Sequence, residues 1–464
     1  MNTWYYKILA WLTAIALLVI PSGNAALAQG QGNVTLPFDE TGVFTNAEYE
    51  IRVPVNWNGV LLVYAHGYAF DPPPPATAPG DPPFNDALEE FFLSQGYALA
   101  GSSYRNGGWA VKEGVQNTLA VTNRFNGLIG KPTHTILWGF SMGSLIAMEL
   151  LNQHAANFDG AVASCGPLAG APFNWDSALA LAVAYDVMFG WPPDWGSVGD
   201  VRDDVDFEGD VLPVLAGLLN PYDDAFEANL IKFEFIRRVT GLPAEGFLPG
   251  EEMGWLFLDM LFTTQFRGEL EARAGGPVAQ NLDHLYWLSQ SDKADMDFYL
   301  GDGVSDALLA AMNAHANITA KRSARNYIEK YSIPSGDLKR PVITMHNTVD
   351  GLAIPWNEVV FADKVAGAGK SDLLLPTYVD AVGHCNFTPM QMFLTVAAMH
   401  TWLASGVRPD PDTAFPPAAG FVNDVDDVLP PIMAPPFLPP TARAALIRDG
   451  ATPDSQMFLP LLQR

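Results

Sequence analysis

The fold of this chain turns on residues 135–148, Thr135-Ile136-Leu137-Trp138-Gly139-Phe140-Ser141-Met142-Gly143-Ser144-Leu145-Ile146-Ala147-Met148. Thr135 to Trp138 is a short apolar run of the kind buried on both faces of a sheet, and Ser144 to His154 has helical character. Between them lies a Gly-x-Ser-x-Gly turn. A tight strand-to-helix turn forces its central residue into a strained backbone and lifts the Ser141 hydroxyl clear of the sheet. Glycine on both sides keeps side chains out of the turn. The following helix points its N-terminus at the same place, which favours developing negative charge. A nucleophilic serine is the role this context predicts for Ser141.

Working outward, strand and helix patterns alternate. Upstream, Gly59 to Ala65 (GVLLVYA) is a continuous apolar run. Phe84 to Gln95 reads as helix, Tyr97 to Gly101 as strand and Lys112 to Leu128 as helix. Downstream, Gly160 to Ser164 reads as strand. The alternation resumes with Pro341 to Met345 (strand), Glu358 to Val365 (helix), Leu373 to Val379 (strand) and Pro389 to Ala404 (helix). This predicts an α/β class fold: a doubly wound, mostly parallel sheet covered on both faces. Tyr49 to Val55 alternates with period two and reads as a further strand. Residues 29 to about 48 are polar and Gly-rich and read as an irregular lead-in.

The organisation expected from this is a signal peptide over 1–28, a sheet core in two parts (29–170 and 338–408), a helical cap insertion over 171–337 and a Pro-rich tail over 409–464. The leader reading rests on Lys7, the apolar run of 13 residues from Ile8 to Ile20, and the small-residue pattern Ala26-Leu27-Ala28. It predicts a secreted or otherwise extracytoplasmic protein with no stable membrane span after cleavage. In the insertion, Phe226 to Arg238 and Glu252 to Arg273 are the clearest helices, and Trp175, Trp191, Trp195 and Trp255 supply core or pocket wall. The tail carries four Pro-Pro pairs and reads as extended chain.

A serine hydroxyl needs a base. Gly383-His384-Cys385 follows the strand at 373–379 and supplies His384. The orienting acid should follow the preceding strand, where His346-Asn347-Thr348-Val349-Asp350-Gly351 places Asp350. An oxyanion needs two backbone N–H groups: Met142, just after the nucleophile, and Tyr68, with Ala69 as the alternative, in the loop that opens His66-Gly67-Tyr68 after the strand at 59–65.

These motifs together resemble the α/β-hydrolase superfamily: His66-Gly67, the turn at 139–143, HNTVDG at 346–351 and GHC at 383–385. The HxxxDG and GH pair is similar to that of prolyl-oligopeptidase-type hydrolases and of esterases. The order Ser, Asp, His is that of the superfamily. The resemblance implies a serine hydrolase acting through an acyl-enzyme, with a carboxylic ester, small or polymeric, as the expected substrate. A peptidase is the nearest rival and a catalytically inactive binding protein on the same fold the more distant one. No cofactor is implied. His384-Cys385 also resembles the tannase and feruloyl-esterase group, where a disulfide joins a cysteine before the serine to one after the histidine. Here Phe140 precedes Ser141, so the remaining partner for Cys385 is Cys165, at the end of the strand at 160–164.

Composition narrows the partners. The formal net charge of −26, from 25 basic and 51 acidic residues, disfavours nucleic acid. Two cysteines in an exported chain favour a bridge, and neither sits in a zinc-ligand pattern. The acidic run Asp200 to Asp210 begins like a calcium loop through Asp204, Asp206 and Gly209, but Leu215 stands where a closing Glu is needed, so no metal is expected.

Overall fold

The computed structural model describes residues 34–248, 254–282 and 284–422. The leader and most of the tail lie outside these residues. A nine-stranded sheet forms the frame. We number its strands β1 (Phe38–Phe44), β2 (Ala47–Val53), β3 (Val60–Ala65), β4 (Ala98–Ser102), β5 (His134–Phe140), β6 (Gly160–Ser164), β7 (Val342–Val349), β8 (Leu374–Val382) and β9 (Phe421–Val422). Their order across the sheet is β1-β2-β4-β3-β5-β6-β7-β8-β9. β4, β3, β5, β6, β7 and β8 are mutually parallel, and antiparallel pairs occur at the two edges. This is the α/β-hydrolase fold.

The apolar runs behave as doubly buried strands must. In β3, Leu61, Val63 and Ala65 face one core, while Val60, Leu62 and Tyr64 face the other. The first core lies under the helices Val111–Leu128 and Met142–Gln153 and continues into the insertion. The second lies under Phe84–Ser94 and Pro389–Ser405. A crossover turns the chain at the carboxyl end of each parallel strand, and those ends carry Ser141, Cys165, Asp350 and His384.

Two expectations need correction. The lead-in is not irregular: Phe38–Phe44 forms β1, paired in full register with β2 through a two-residue turn at Thr45-Asn46, both at positive φ (45° and 67°). Its polar residues fit an edge strand, half of whose side chains face water. The start of the Pro-rich segment is also structured. Residues 411–414 form a short helix, and Phe421–Val422 adds β9 antiparallel to β8.

Between β6 and β7 the chain is mainly helical, apart from a two-residue hairpin pairing Gly196–Ser197 with Asp200–Val201. Its ends meet: the Ala171 N–H donates to the Ser332 carbonyl at 2.8 Å. The longest helix, Ala171–Phe189, is apolar on nearly all sides and largely buried. The expected helix 252–273 is interrupted. A π-helical turn at Phe262–Phe266 separates Trp255–Leu261 from Arg267–Ala274. No described helix is long and apolar enough to cross a membrane.

Candidate active site

Ser141 caps the helix Met142–Gln153 with φ 52° and ψ −125°, a conformation costing a non-glycine residue about 1–3 kcal/mol. Its surroundings impose it. The Ser141 N–H donates to the Ser164 carbonyl of β6 at 2.9 Å. The Ser144 hydroxyl reaches the carbonyls of Gly139 (3.1 Å) and Ser164 (2.9 Å), tying the turn to two strands. Both flanking glycines are sterically required. A Cβ on Gly143 would lie 1.9 Å from the Ala65 carbonyl oxygen, and one on Gly139 would lie 2.4 Å from that of Gly143.

The three side chains expected to work together are in contact. His384 Nε2 stands 2.8 Å from Ser141 Oγ, and its Nδ1 stands 2.8 Å from Asp350 Oδ2. Asp350 is fully buried, while the His384 side chain keeps 16% of its exposure, so the acid is sheltered and the imidazole reachable. The other oxygen of Asp350 accepts the N–H groups of Leu352 and Ala353, both at 3.0 Å. Burial raises the Asp350 pKa, but the His384 charge and hydrogen bonds from His346 and His384 outweigh it and hold the carboxyl at about 2. It is therefore an anion at neutral pH and accepts the Nδ1–H, leaving Nε2 free to take the serine proton.

The His384 loop is held twice. Asn347 on β7 grips Asn386, its amide donating to the Asn386 carbonyl and its oxygen accepting the Asn386 N–H, both at 2.9 Å. A disulfide joins Cys165 to Cys385, whose Cα atoms are 5.2 Å apart. It closes a sequence separation of 220 residues, for which chain-entropy arguments give about 5 kcal/mol. The two sulfurs lie within 4.8 Å of a His384 ring nitrogen, but being bonded to each other they are not thiolate ligands for a metal.

On the other side of Ser141, a Cβ on Gly67 would meet the serine Cβ at 3.1 Å, so the backbone at 67–68 runs beside the nucleophile. Met142 begins the helix after Ser141, where its N–H has no intrahelical partner. His66 stacks on Tyr104 with centroids 3.8 Å apart, and burial pulls its pKa down to about 4, so it is neutral. The Tyr68 ring stacks on Phe266 of the π-turn at 4.0 Å, with Phe70 edge-on to Phe266 at 4.7 Å. Trp255 packs against Gly351 in the loop after Asp350. One stretch of the insertion, 255–266, therefore touches both the loop beside Ser141 and the loop after Asp350.

Sequence reasoning missed three polar groups here. His346 lies within a motif it quoted but received no role, although it is buried 3.4 Å from Asp350. Glu358, one turn into the helix Trp356–Gly367, is buried against His346 at 3.1 Å. Asp259, on the insertion, is buried with Oδ2 unpartnered. It lines a cavity of about 40 Å³ with Asn174, Ser177, Thr240, Thr263 and Leu352. Burial first, then the charge of Asp350, pushes its pKa well above the usual carboxylate value. Only the HxxxD spacing hinted at any of these. The acidic run at 200–210 is explained locally: Asp204 pairs with Arg202 at 2.5 Å, and Asp206 caps a turn through the Gly209 N–H at 2.7 Å.

No family model matches the chain. It is similar to the o-phthalyl amidase of Xanthobacter agilis, 23% identical over 416 residues that span 79% of this chain and 87% of the relative. Distant structural likenesses include feruloyl esterase B of Aspergillus oryzae, with 14% identity, coverage of 83% and 85% and a TM-score of 0.41. Proline iminopeptidase of Mycobacterium smegmatis is similar at 12% identity, with coverage of 80% and 100% and a TM-score of 0.38.

Proposed function

We propose that the protein is an extracytoplasmic serine hydrolase that cleaves carboxylic esters through an acyl-enzyme on Ser141. The observation that carries this reading is the unbroken contact Ser141–His384–Asp350, with 2.8 Å at each link. Ser141 Oγ attacks the carbonyl carbon while His384 Nε2 takes its proton. Asp350 holds the ring in the right tautomer and stabilises the imidazolium. The oxyanion is received by the N–H groups of Met142 and Tyr68. The tetrahedral intermediate then collapses, the acyl–oxygen bond breaks, and His384 protonates the departing alkoxide. Water, deprotonated by the same nitrogen, attacks the acyl-enzyme, and the acid is released as Ser141 regains its proton. The insertion, 171–337, caps the site and sets substrate range through the segment at 255–266. The disulfide fits an exported chain.

Amide cleavage is the second reading, favoured by the amidase relative. It uses the same steps with an amine leaving. Two experiments separate these ideas. A fluorophosphonate probe should label Ser141, and Ser141→Ala should abolish labelling and lower turnover by roughly 10³-fold or more. Labelling at another serine would refute the assignment. A series of p-nitrophenyl esters set against matched anilides should favour the esters in kcat/KM. The reverse preference would make this an amidase.

A further inference from the structure

His346 sits on β7 with its side chain fully buried, and both of its ring nitrogens face hydrogen-bond acceptors. Nδ1 is 3.1 Å from Glu358 Oε1. Nε2 is 2.5 Å from the Ala353 carbonyl oxygen and 3.4 Å from Asp350 Oδ2. Nε2 faces a carbonyl and must carry hydrogen, and a bare Nδ1 against the Glu358 carboxylate would be set lone pair against lone pair. A ring protonated on both nitrogens satisfies both sides. The remaining groups around it agree. Asp350, an anion that accepts the N–H groups of Leu352, Ala353 and His384, has no proton to offer. Tyr378, opposite His346 in the β8 register, is held as a neutral phenol by burial and the charge of Glu358. Burial and the charge of Asp350 both push the pKa of the Asp259 carboxyl upward.

We propose that His346 is a positioning residue: an imidazolium lodged between Glu358 and Asp350 that pins the Asp350 carboxylate and partly offsets its charge as felt by His384. This rests on the reading of Ser141, His384 and Asp350 as a working triad. The buried row Glu358–His346–Asp350 then alternates in sign and ends against the ring of His384. Burial alone would strip His346 of its proton, but its hydrogen bonds to Asp350 and Glu358 outweigh it and raise its pKa to about 10. With the cation beside it, Asp350 stabilises a protonated His384 less strongly. The base therefore sheds its proton, and becomes competent, at lower pH than an uncompensated Asp350 would allow.

The charge state is read directly from the ¹⁵N spectrum of histidine-labelled full-length protein, with the His346 signals assigned by their loss in His346→Gln. Both His346 nitrogens should carry hydrogen across neutral pH; one bare nitrogen would overturn the proposal. The effect on the base is read from the kcat/KM–pH profile of the double variant His346→Gln/Glu358→Gln. That variant replaces the His346–Glu358 pair by neutral hydrogen-bonding groups and strands neither member of the pair as a lone buried charge, which covers the case in which the single variant does not fold. Its acid limb should move to higher pH by about half a unit or more. A lower kcat with the limb unmoved would reduce His346 to a packing role and refute the inference. Failure of the wild type to label at Ser141 would instead refute the triad reading, and the nitrogen spectrum would still report the charge on His346.

Discussion

The carboxyl edge of the sheet and the insertion above it are held in shape by different means. At the edge, backbone dictates. Ser141, Cys165 and Cys385 are non-glycine residues at positive φ (52°, 49° and 59°), each at or just beyond the end of a strand. Neighbouring strands hold the first two in place, Ser141 N–H on the Ser164 carbonyl and Cys165 N–H on the Met345 carbonyl. In the insertion, side chains dictate. Arg267, with no exposure, binds Glu271 at 2.9 Å and the Val198 carbonyl. Arg325 holds Asp176 through two bonds of 2.7 and 2.9 Å. The Thr263 hydroxyl donates to the Ala178 carbonyl. Three of the strained non-glycine residues thus lie at the strand ends that carry the proposed nucleophile and base. The insertion is tied together through buried polar pairs and leaves the proposed chemistry to the edge.

Substitutions should separate the two regions by what they damage. The largest loss of turnover is expected from Asp350→Asn, about 10³–10⁴-fold in kcat with the fold retained, because the amide favours the wrong His384 tautomer. Near-full activity in this variant would show that the edge does not govern the chemistry as described. A smaller loss, roughly several-fold to 10-fold, is expected from Cys165→Ala, which frees Cys385 and one of the two restraints on the His384 loop. Activity assays alongside circular dichroism would check that turnover falls before helix content does. The least effect on turnover per folded molecule is expected from Arg267→Met. Its damage should appear as stability, about 3–5 kcal/mol, since it strands Glu271 as an unpaired buried charge. A urea titration with unchanged m-value would measure it, and a large drop in kcat for the folded variant would erase the distinction between the two regions.

What the sequence revealed follows the same division. β3, β5 and β7 were readable because both faces are buried, which leaves near-continuous apolar runs. The strand-end positions of Ser141, Asp350 and His384 could be located from those runs. β1 was not readable, because an edge strand carrying Asp39, Glu40 and Thr41 looks like a polar lead-in. The π-turn at 262–266 was hidden because one wider turn hardly disturbs helical spacing. Glu358 and Asp259 were hidden for a different reason. Nothing in their neighbours marks them, and only packing brings a helix residue twelve positions away onto His346, or an insertion carboxyl toward Asp350.

The short strand β9 bears on solubility. A parallel sheet of this kind ends in a row of unpaired backbone donors and acceptors, an open template for a neighbouring molecule. Here Phe421–Val422 lies along Tyr378–Val379, and the Asp380 N–H donates to the Gly420 carbonyl at 3.0 Å. Phe415 and Phe421 pack together beneath it, their centroids 5.2 Å apart. The strand so covered is the one that runs on into the His384 loop. Removing the chain from residue 409 onward would bare that edge and a greasy patch together, inviting copies to zip edge to edge at the margin that carries the base. A few residues of clasp keep this flank of the sheet from becoming an adhesive surface.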